Sequence, residues 1–329
     1  MELVLSNHSS YPRIGDDPAG QRLRRTIAQR EKGEKTEADL RAAENQMTER
    51  ALAEQVEAGL DVVTDGLIRW YDPVSHLAGK LSGIKINGLL RFFDTNFYFR
   101  QPIVGGKIKR EKSLVVEEFL FAKAKSPRPV KTVLTGPYTL ARLSIGQNEE
   151  TGKLDALLAG YTQALAEEVA ALAAAGATLI QVDEPALLKH PEDFSLFETS
   201  IKPLAARKGS ARLGLAFYFG DAARLYSKLQ GLPVDILGLD FTYSPSLPEI
   251  VRTEGSSKTL AFGLLDGRNT RLEDPNALAR QLERMLGGLK AEIAYLTPSS
   301  GLEYLPRDRA QLKLKHLTTV KKTLLGRAA

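Results

Sequence analysis

The sequence predicts a single (β/α)8 TIM barrel spanning residues 1–329, with an antiparallel hairpin inserted after the second strand. Three observations predict it: eight short apolar runs recur along the chain, amphipathic stretches separate them, and polar residues gather where the runs end. Parallel strands covered on both faces read as near-continuous apolar segments, and a barrel exposes the carboxyl ends of its strands to ligand. An open, doubly wound sheet shows the same alternation and is the alternative architecture.

The candidate strands are Leu3–Ser6, Val62–Asp65, Val130–Thr135, Thr178–Asp183, Leu213–Phe219, Ile236–Phe241, Thr259–Leu265 and Ile293–Leu296. Thr36–Gly59 reads as a helix, opened by Thr36 and carrying Leu40, Met47, Leu52 and Val56 at helical spacing. Asp155–Gly176 is an alanine-rich helix closed by Gly176, and Asp274–Leu289 is a third. Residues 84–108 break the pattern. They alternate, are rich in aromatics, and carry turn signals at Asn87-Gly88 and Gly105-Gly106. This predicts an excursion of one or two hairpins, about residues 82–112, over the barrel mouth.

Apolar residues make up 43% and charged residues 26%, enough for a large core and too apolar for disorder. No apolar run reaches the length of a membrane span, and the N-terminal MELVLSNHSSYPR lacks the basic start and apolar stretch of a leader. A cytoplasmic location is expected. With no cysteine, disulfides, thiolate metal sites and cysteine nucleophiles are excluded. The net charge of +5 is dispersed, with a denser patch at Lys107, Lys109, Arg110 and Lys112. It forms no basic stripe with interleaved aromatics, so nucleic acid is not expected; an anionic small ligand, such as a polyglutamate or phosphate tail, fits better.

The strand-end polar residues are His8 and Arg13 after the first run, then Asp65, Arg69, Trp70 and Asp72 after the second. Tyr138 follows the third run and Asp183-Glu184 the fourth. Asp240 closes the sixth, Asp266, Arg268 and Asn269 follow the seventh, and Ser299 and Ser300 follow the eighth. Each has a plainer alternative. Asp65 and Asp266 sit in Asp-Gly pairs that also form turns. Trp70 reads more readily as a core cap than as a ligand platform, and His8 as a packing or capping residue. Asp183, a half-buried carboxylate, needs a partner, and a ligand is favoured over an ion pair. His76, His190 and His316 are expected on the surface. Phe92, Phe93, Phe97, Tyr98 and Phe99 read as hairpin packing, with Asp94 and Asn96 directed into the mouth.

Six words in order resemble the cobalamin-independent methionine synthase family: YPRIG (11–15), QVEAGLDVVTDG (55–66), LTGPYTLA (134–141), QVDEPAL (181–187), DGRN (266–269) and TPSSGL (297–302). That family is built of (β/α)8 barrels, two in its long members, and this chain has room for one. The resemblance implies that the catalytic half carries a zinc that turns the homocysteine thiol into a thiolate. Its ligands are a His-x-Cys pair after strand five, a Glu after strand six and a Cys after strand eight. Here Leu215, Phe217, Asp240 and Ser300 are read at those positions, so no metal cofactor is expected. LRFFDTNFYF (90–99), AFYFGD and GLLDGRN look more like the non-zinc, N-terminal half, whose basic residues face the polyglutamate tail of the folate.

The resemblance implies a methyltransferase barrel acting on homocysteine or a similar thiol, with a folate or methyl-corrinoid donor. Asp183, Glu184 and His8 are the candidate catalytic residues. Arg13, Asp65, Trp70, Asp94, Asn96, Tyr138, Asp240, Arg268, Asn269 and Ser300 are the candidate substrate-binding residues. By the family's pattern, Asp183 would hold the amino group of the amino acid. Two alternatives stand beside this. The chain is an accessory subunit that binds substrate or donor for a separate zinc-bearing barrel or a corrinoid protein. Or it is a metal-free lyase or decarboxylase of the wider superfamily, with Arg13, Asp65 and Arg268 on an acidic substrate.

Overall fold

The computed structural model describes residues 1–149 and 151–328. Ten strands lie among them: β1 (Glu2–Leu5), β2 (Ser82–Arg91), β3 (Tyr98–Lys109), β4 (Thr132–Thr135), β5 (Ile145–Gly146), β6 (Leu179–Asp183), β7 (Arg212–Phe217), β8 (Ile236–Asp240), β9 (Thr259–Leu265) and β10 (Ile293–Pro298). Seven form one parallel sheet in the order β1-β10-β9-β8-β7-β6-β4. Its two edges, β1 and β4, are joined by residues 62–63, where Ser6 bridges Val62 and Val63 bridges Val130, both in parallel. The ring therefore has eight staves, the second only two residues long.

A side chain shortens that stave. Gln55 is buried, donates to the Thr64 carbonyl at 2.8 Å and accepts the Thr64 N–H at 3.0 Å. These are the backbone groups that would extend the ladder. Below the stave, the Asp61 carboxylate accepts the Leu5 N–H at 2.8 Å. The predicted strand Val62–Asp65 thus pairs only through its first two residues.

The helices are α1 (Arg22–Glu31), α2 (Glu37–Glu57), α3 (Ser75–Ala78), α4 (Val116–Lys125), α5 (Pro137–Arg142), α6 (Leu154–Ala174), α7 (Phe194–Ala206), α8 (Tyr226–Gln230), α9 (Leu247–Glu254), α10 (Pro275–Leu286) and α11 (Arg307–Ala328). Thr36 caps α2 in a reciprocal box: its hydroxyl accepts the Asp39 N–H while Asp39 accepts the Thr36 N–H. Gly59 and Gly176 follow α2 and α6 with φ of +87° and +82°, as expected of helix-ending glycines. None of the described helices is long and apolar enough to cross a membrane.

The excursion is one hairpin, β2 antiparallel to β3, with β5 added parallel to β3. Both expected turns lie inside strands. Gly88 (φ +74°) occupies a shift in register on β2, and at Gly105 a side chain would strike Gln147. The chain reverses instead at Phe92–Phe97, where the Thr95 hydroxyl donates to the Phe92 carbonyl at 2.6 Å. The patch residue Arg110 pairs with the buried Glu168 at 2.6 Å and ties the hairpin base to α6.

Candidate functional site

Strand alternation decides which side chains enter the barrel. Leu179 of β6 joins Val4, Ile236 and Tyr295 in an apolar floor. Two residues on, Gln181 lies above that floor, and Asp183 follows at the mouth. On β7, Phe217 packs against Phe197 of α7, with ring centres 6.0 Å apart, and so faces the helices. Leu215, two residues earlier, shares that face and belongs to the core. Ala216 and Tyr218 are the inward positions. Leu215 and Phe217 are therefore not at the mouth, and their placement at the zinc-ligand positions is corrected by one residue.

A buried polar chain runs up the barrel axis. The Lys131 ammonium donates to the Asn7 carbonyl at 2.8 Å and to Gln181 Oε1 at 2.7 Å. Gln181 Nε2 donates to Asp183 Oδ1 at 2.7 Å and to the His8 carbonyl at 3.0 Å. The Tyr218 hydroxyl reaches Asp183 Oδ2 at 3.3 Å, and the His8 ring stands edge-on to Tyr218 with centres 5.1 Å apart. Burial pushes the Asp183 carboxyl up to about 7, against the pull of Gln181 and Lys131. It pushes the Lys131 ammonium down to about 7. His8 is held well below its ordinary value by burial and by Lys131, so its imidazole is neutral; Nδ1 pairs with the Ser9 hydroxyl at 2.9 Å. Glu303, after β10, is pushed up to about 7 by burial, and its Oε2 is buried without a hydrogen-bond partner.

The hairpin tip covers this chain. Phe93 lies 6.0 Å from Phe219, Phe97 lies 4.8 Å from Tyr304, and the Arg268 guanidinium sits 5.1 Å over the Phe219 ring. Arg268 also pairs with Asp94 at 3.0 Å. Among the described residues, Leu67, Phe93 and Phe219 are the non-glycine residues with positive φ, at 50°, 52° and 64°; Phe93 and Phe219 meet at the hairpin tip and Leu67 lines the cleft beside it. Such backbone strain gathers where structure is held for a purpose other than stability. Beside the tip, a cleft is lined by Ser10, Arg13, Tyr71, Phe97, Tyr98 and Glu303 among others. Arg13 enters it with Nε bound to the Ile68 carbonyl at 2.6 Å, Cζ 4.9 Å over the Tyr71 ring, and Nη2 unpartnered.

Of the predicted residues, the structure brings Asp183 and His8 together at the centre, with Arg13 and Arg268 at the rim. Asp240 is buried at the end of β8, where it accepts from the Thr242 N–H and hydroxyl, the Tyr243 N–H and the Phe219 N–H; burial raises it to about 6. Ser300 is buried behind it, against Gly267.

The others lie elsewhere. Both oxygens of Glu184 are engaged by the first turn of α5, through the Tyr138 and Thr139 N–H groups at 3.0 and 2.7 Å and the Thr139 hydroxyl at 2.6 Å. Glu184 is thus a helix cap. A Cβ at Gly136 would overlap its carboxyl, which is why glycine stands there. The Tyr138 hydroxyl points away to Asp193 and Arg142. Trp70 is buried, stacked on His76 and bound through Nε1 to Glu118 at 2.9 Å. Asp65 closes a turn by accepting the Leu67 N–H at 3.0 Å and faces Trp70 and Glu118 rather than the axis. Asp94 binds Arg268, Asn96 binds Arg91 within the hairpin, and Asn269 accepts from the Arg271 N–H. His76 is half-buried against Glu118 and His316 is buried against the Glu273 carbonyl, so neither is a surface residue. His190 is exposed.

Sequence reasoning missed Lys131, Gln181, Tyr218 and Glu303. Lys131 and Gln181 occupy alternate positions inside apolar runs, where a long polar residue is itself a signal, since it is buried only with a partner or a task. Glu303 follows the TPSSGL word and had no such marker.

The zinc set of the family does not fit these residues. The inward positions of the fifth stave are Ala216 and Tyr218, Asp240 has three donors on Oδ1 and the Phe219 N–H at 3.4 Å on Oδ2, and Ser300 offers a hydroxyl in place of a thiolate. No group of three or more candidate ligands converges among the described residues.

A family profile described as "Cobalamin-independent synthase, N-terminal domain" matches residues 83–289. A methionine synthase of Sulfurisphaera tokodaii is 32% identical over 322 residues, covering 95% of this chain and 91% of that protein. One of Pyrococcus abyssi is 30% identical over 92% of this chain and 89% of its own length. Among solved structures, a B12-independent methionine synthase from Shewanella sp. W3-18-1 superposes with a TM-score of 0.81 at 22% identity, covering 99% of this chain and all of that one. That likeness carries the barrel fold, as does one from Listeria monocytogenes at a TM-score of 0.75 and 17% identity, covering 96% of each chain. The chain belongs to the cobalamin-independent methionine synthase family.

Proposed function

We propose that this barrel transfers a methyl group to homocysteine or a similar thiol amino acid, holding the substrate ammonium at Asp183 without the family's usual zinc set. The observation that carries this reading is the state of Asp183. Its Oδ1 is fixed by Gln181 at 2.7 Å, while Oδ2 has only the long 3.3 Å contact from Tyr218 and faces the mouth. A substrate ammonium on Oδ2 would complete the shell and pull the carboxyl back to its ionised form. In the transfer, a bond forms between sulfur and the methyl carbon as the bond from that carbon to the donor breaks, and the electron pair of the broken bond stays on the donor, where a folate nitrogen takes up a proton. The thiol proton must leave. His8 is the base this reading assigns, because its imidazole is neutral and only Nδ1 is engaged. A folate-type donor would present its carboxylates to Arg13 and Arg268 at the rim, and a methyl-corrinoid protein is the other donor class.

A second reading makes the chain an accessory subunit that binds the amino acid or donor for a separate zinc-bearing barrel. The Ala216 and Tyr218 positions and the aromatic cover from Phe93 and Phe97 favour it. An assay of the isolated protein separates the two. Methyl transfer from methylfolate or methylcobalamin to homocysteine by this chain alone supports the first reading. Activity only on adding a zinc-bearing methionine synthase barrel supports the second and refutes the first.

A further inference from the structure

Lys131 is the least expected side chain of the barrel interior. It projects between the apolar floor of Val4, Leu179, Ile236 and Tyr295 and the carboxylate at the mouth, and its residue is 5% exposed. An ammonium buried without a carboxylate in contact is unfavourable, and an apolar residue of similar size is the cheaper choice for stability. Its two acceptors, the Asn7 carbonyl and Gln181 Oε1, are neutral.

While it carries its third proton, the Lys131 ammonium donates and does not accept. Gln181 must therefore turn its oxygen to Nζ, which leaves its NH₂ group facing Asp183. That donor obliges Asp183 Oδ1 to be an acceptor and leaves Oδ2 as the oxygen presented to the mouth. The positive charge reaches Asp183 along the same path, across one polarised amide in a low-dielectric interior.

We propose that Lys131 is a positioning residue that sets the ionisation and hydrogen-bond polarity of Asp183 through the side chain of Gln181. Its bearing on substrate rests on the reading of Asp183 as the amino-acid anchor; its effect on Asp183 itself does not. Every other group facing Asp183 is accounted for. His8, from the loop after β1, is neutral, Tyr218 of β7 is a neutral donor, and Glu184, next in sequence, is turned away to α5. Glu303, from the loop after β10, raises Asp183 when ionised, and Tyr304 beside it stays protonated. Lys131 is the cation acting on Asp183, and it pulls the carboxyl down against burial.

The test needs no ligand. The carboxyl carbon of Asp183 is followed by NMR across pH in wild type, Lys131→Met, Lys131→Arg and Gln181→Leu, with Asp183→Asn to assign the signal. Lys131→Met and Gln181→Leu should move the Asp183 midpoint up by about one pH unit or more, and Lys131→Arg should restore it. Repeating Lys131→Met in a Glu303→Gln background separates the loss of the cation from coupling to Glu303. If Lys131→Met does not fold, Lys131→Gln, which keeps a polar donor without the charge, takes its place. An unmoved midpoint in a folded variant overturns the proposal. Homocysteine titration then links it to substrate. Lys131→Met should bind about fivefold more weakly at pH 7, where a one-unit rise cuts the ionised fraction of Asp183 from about one half to about one tenth, and should approach wild type as pH rises past the shifted midpoint. Shifted midpoints with no homocysteine binding by wild type would leave the relay standing and refute the amino-acid reading. Equal loss of affinity at every pH in folded Lys131→Met would show a structural role and overturn the relay.

Discussion

At the scale of the residue, two adjacent acids divide the work of the DEP word. Asp183 faces the axis and Glu184 faces the helices, because successive strand residues point to opposite sides. The sequence marks both as acids at a strand end, but which one enters the mouth follows only once the register of β6 is known. Glu184 should therefore matter for folding and not for binding. Glu184→Ala strands two backbone N–H groups and the Thr139 hydroxyl, a loss of about 2–4 kcal/mol at the usual magnitude for buried unmet partners. A thermal melt should show it, with homocysteine affinity unchanged; a changed affinity at unchanged stability would place Glu184 in the site after all. The same burial predicts a pH dependence. Asp183, Glu184 and Glu303 are each raised to about 7, so the folded protein keeps protons that the unfolded chain releases near pH 4. Their stabilisation is complete below about pH 4 and is lost as pH climbs through 7. His8 opposes it with the reverse sign, because its lowered value gives stability that fades as pH falls below its ordinary range. Asp65 and Asp240, raised to about 6, add to the three carboxyls, and His76, like His8, is lowered by burial, so the raised carboxyls outnumber the two imidazoles; Tm should fall between pH 5 and pH 7.5, and fall less in Asp183→Asn. A flat or rising Tm would show that these carboxyls are ionised without strain.

At the scale of the element, the hairpin was legible as a hairpin and not in its turn. Asn-Gly and Gly-Gly pairs serve equally as turns, bulges and points of close approach, and here they do the latter two. The turn is instead built by Thr95 and anchored to the mouth by Asp94–Arg268 and the Phe92, Phe93 and Phe97 rings. The Asp94 carboxylate is 55% exposed, so its ion pair is screened and contributes about 0.5 kcal/mol. Arg268→Ala should consequently leave Tm nearly unchanged while it loosens the tip. Amide hydrogen exchange at 92–97 should quicken several-fold, and unchanged exchange would assign the closure to the aromatic contacts alone. The second stave was over-read for a comparable reason: VVTD looks like a strand, and nothing in its own residues reveals that Gln55, nine positions before Thr64, takes the backbone groups of Thr64.

At the scale of the whole molecule, eight apolar runs alternating with helices pointed to a barrel, because a ring of parallel strands with helices outside leaves a strong periodic trace, although closure itself is not written in the alternation. The axial chain from Lys131 to Asp183 left a weaker one. Its members come from three distant segments, and only the closed ring brings them into line. The resulting mouth is covered by aromatic rings and centred on a carboxylate that lacks a close partner on one oxygen. Under the proposed function this carboxylate anchors an amino acid and needs no zinc to do so. Calorimetric titration of L-homocysteine into wild type and Asp183→Asn, both with excess EDTA, tests that claim most directly. Binding by metal-stripped wild type, weakened at least about 30-fold (about 2 kcal/mol) in a folded Asp183→Asn, is the predicted result. Binding that requires added zinc, or an affinity unchanged in Asp183→Asn, would contradict it.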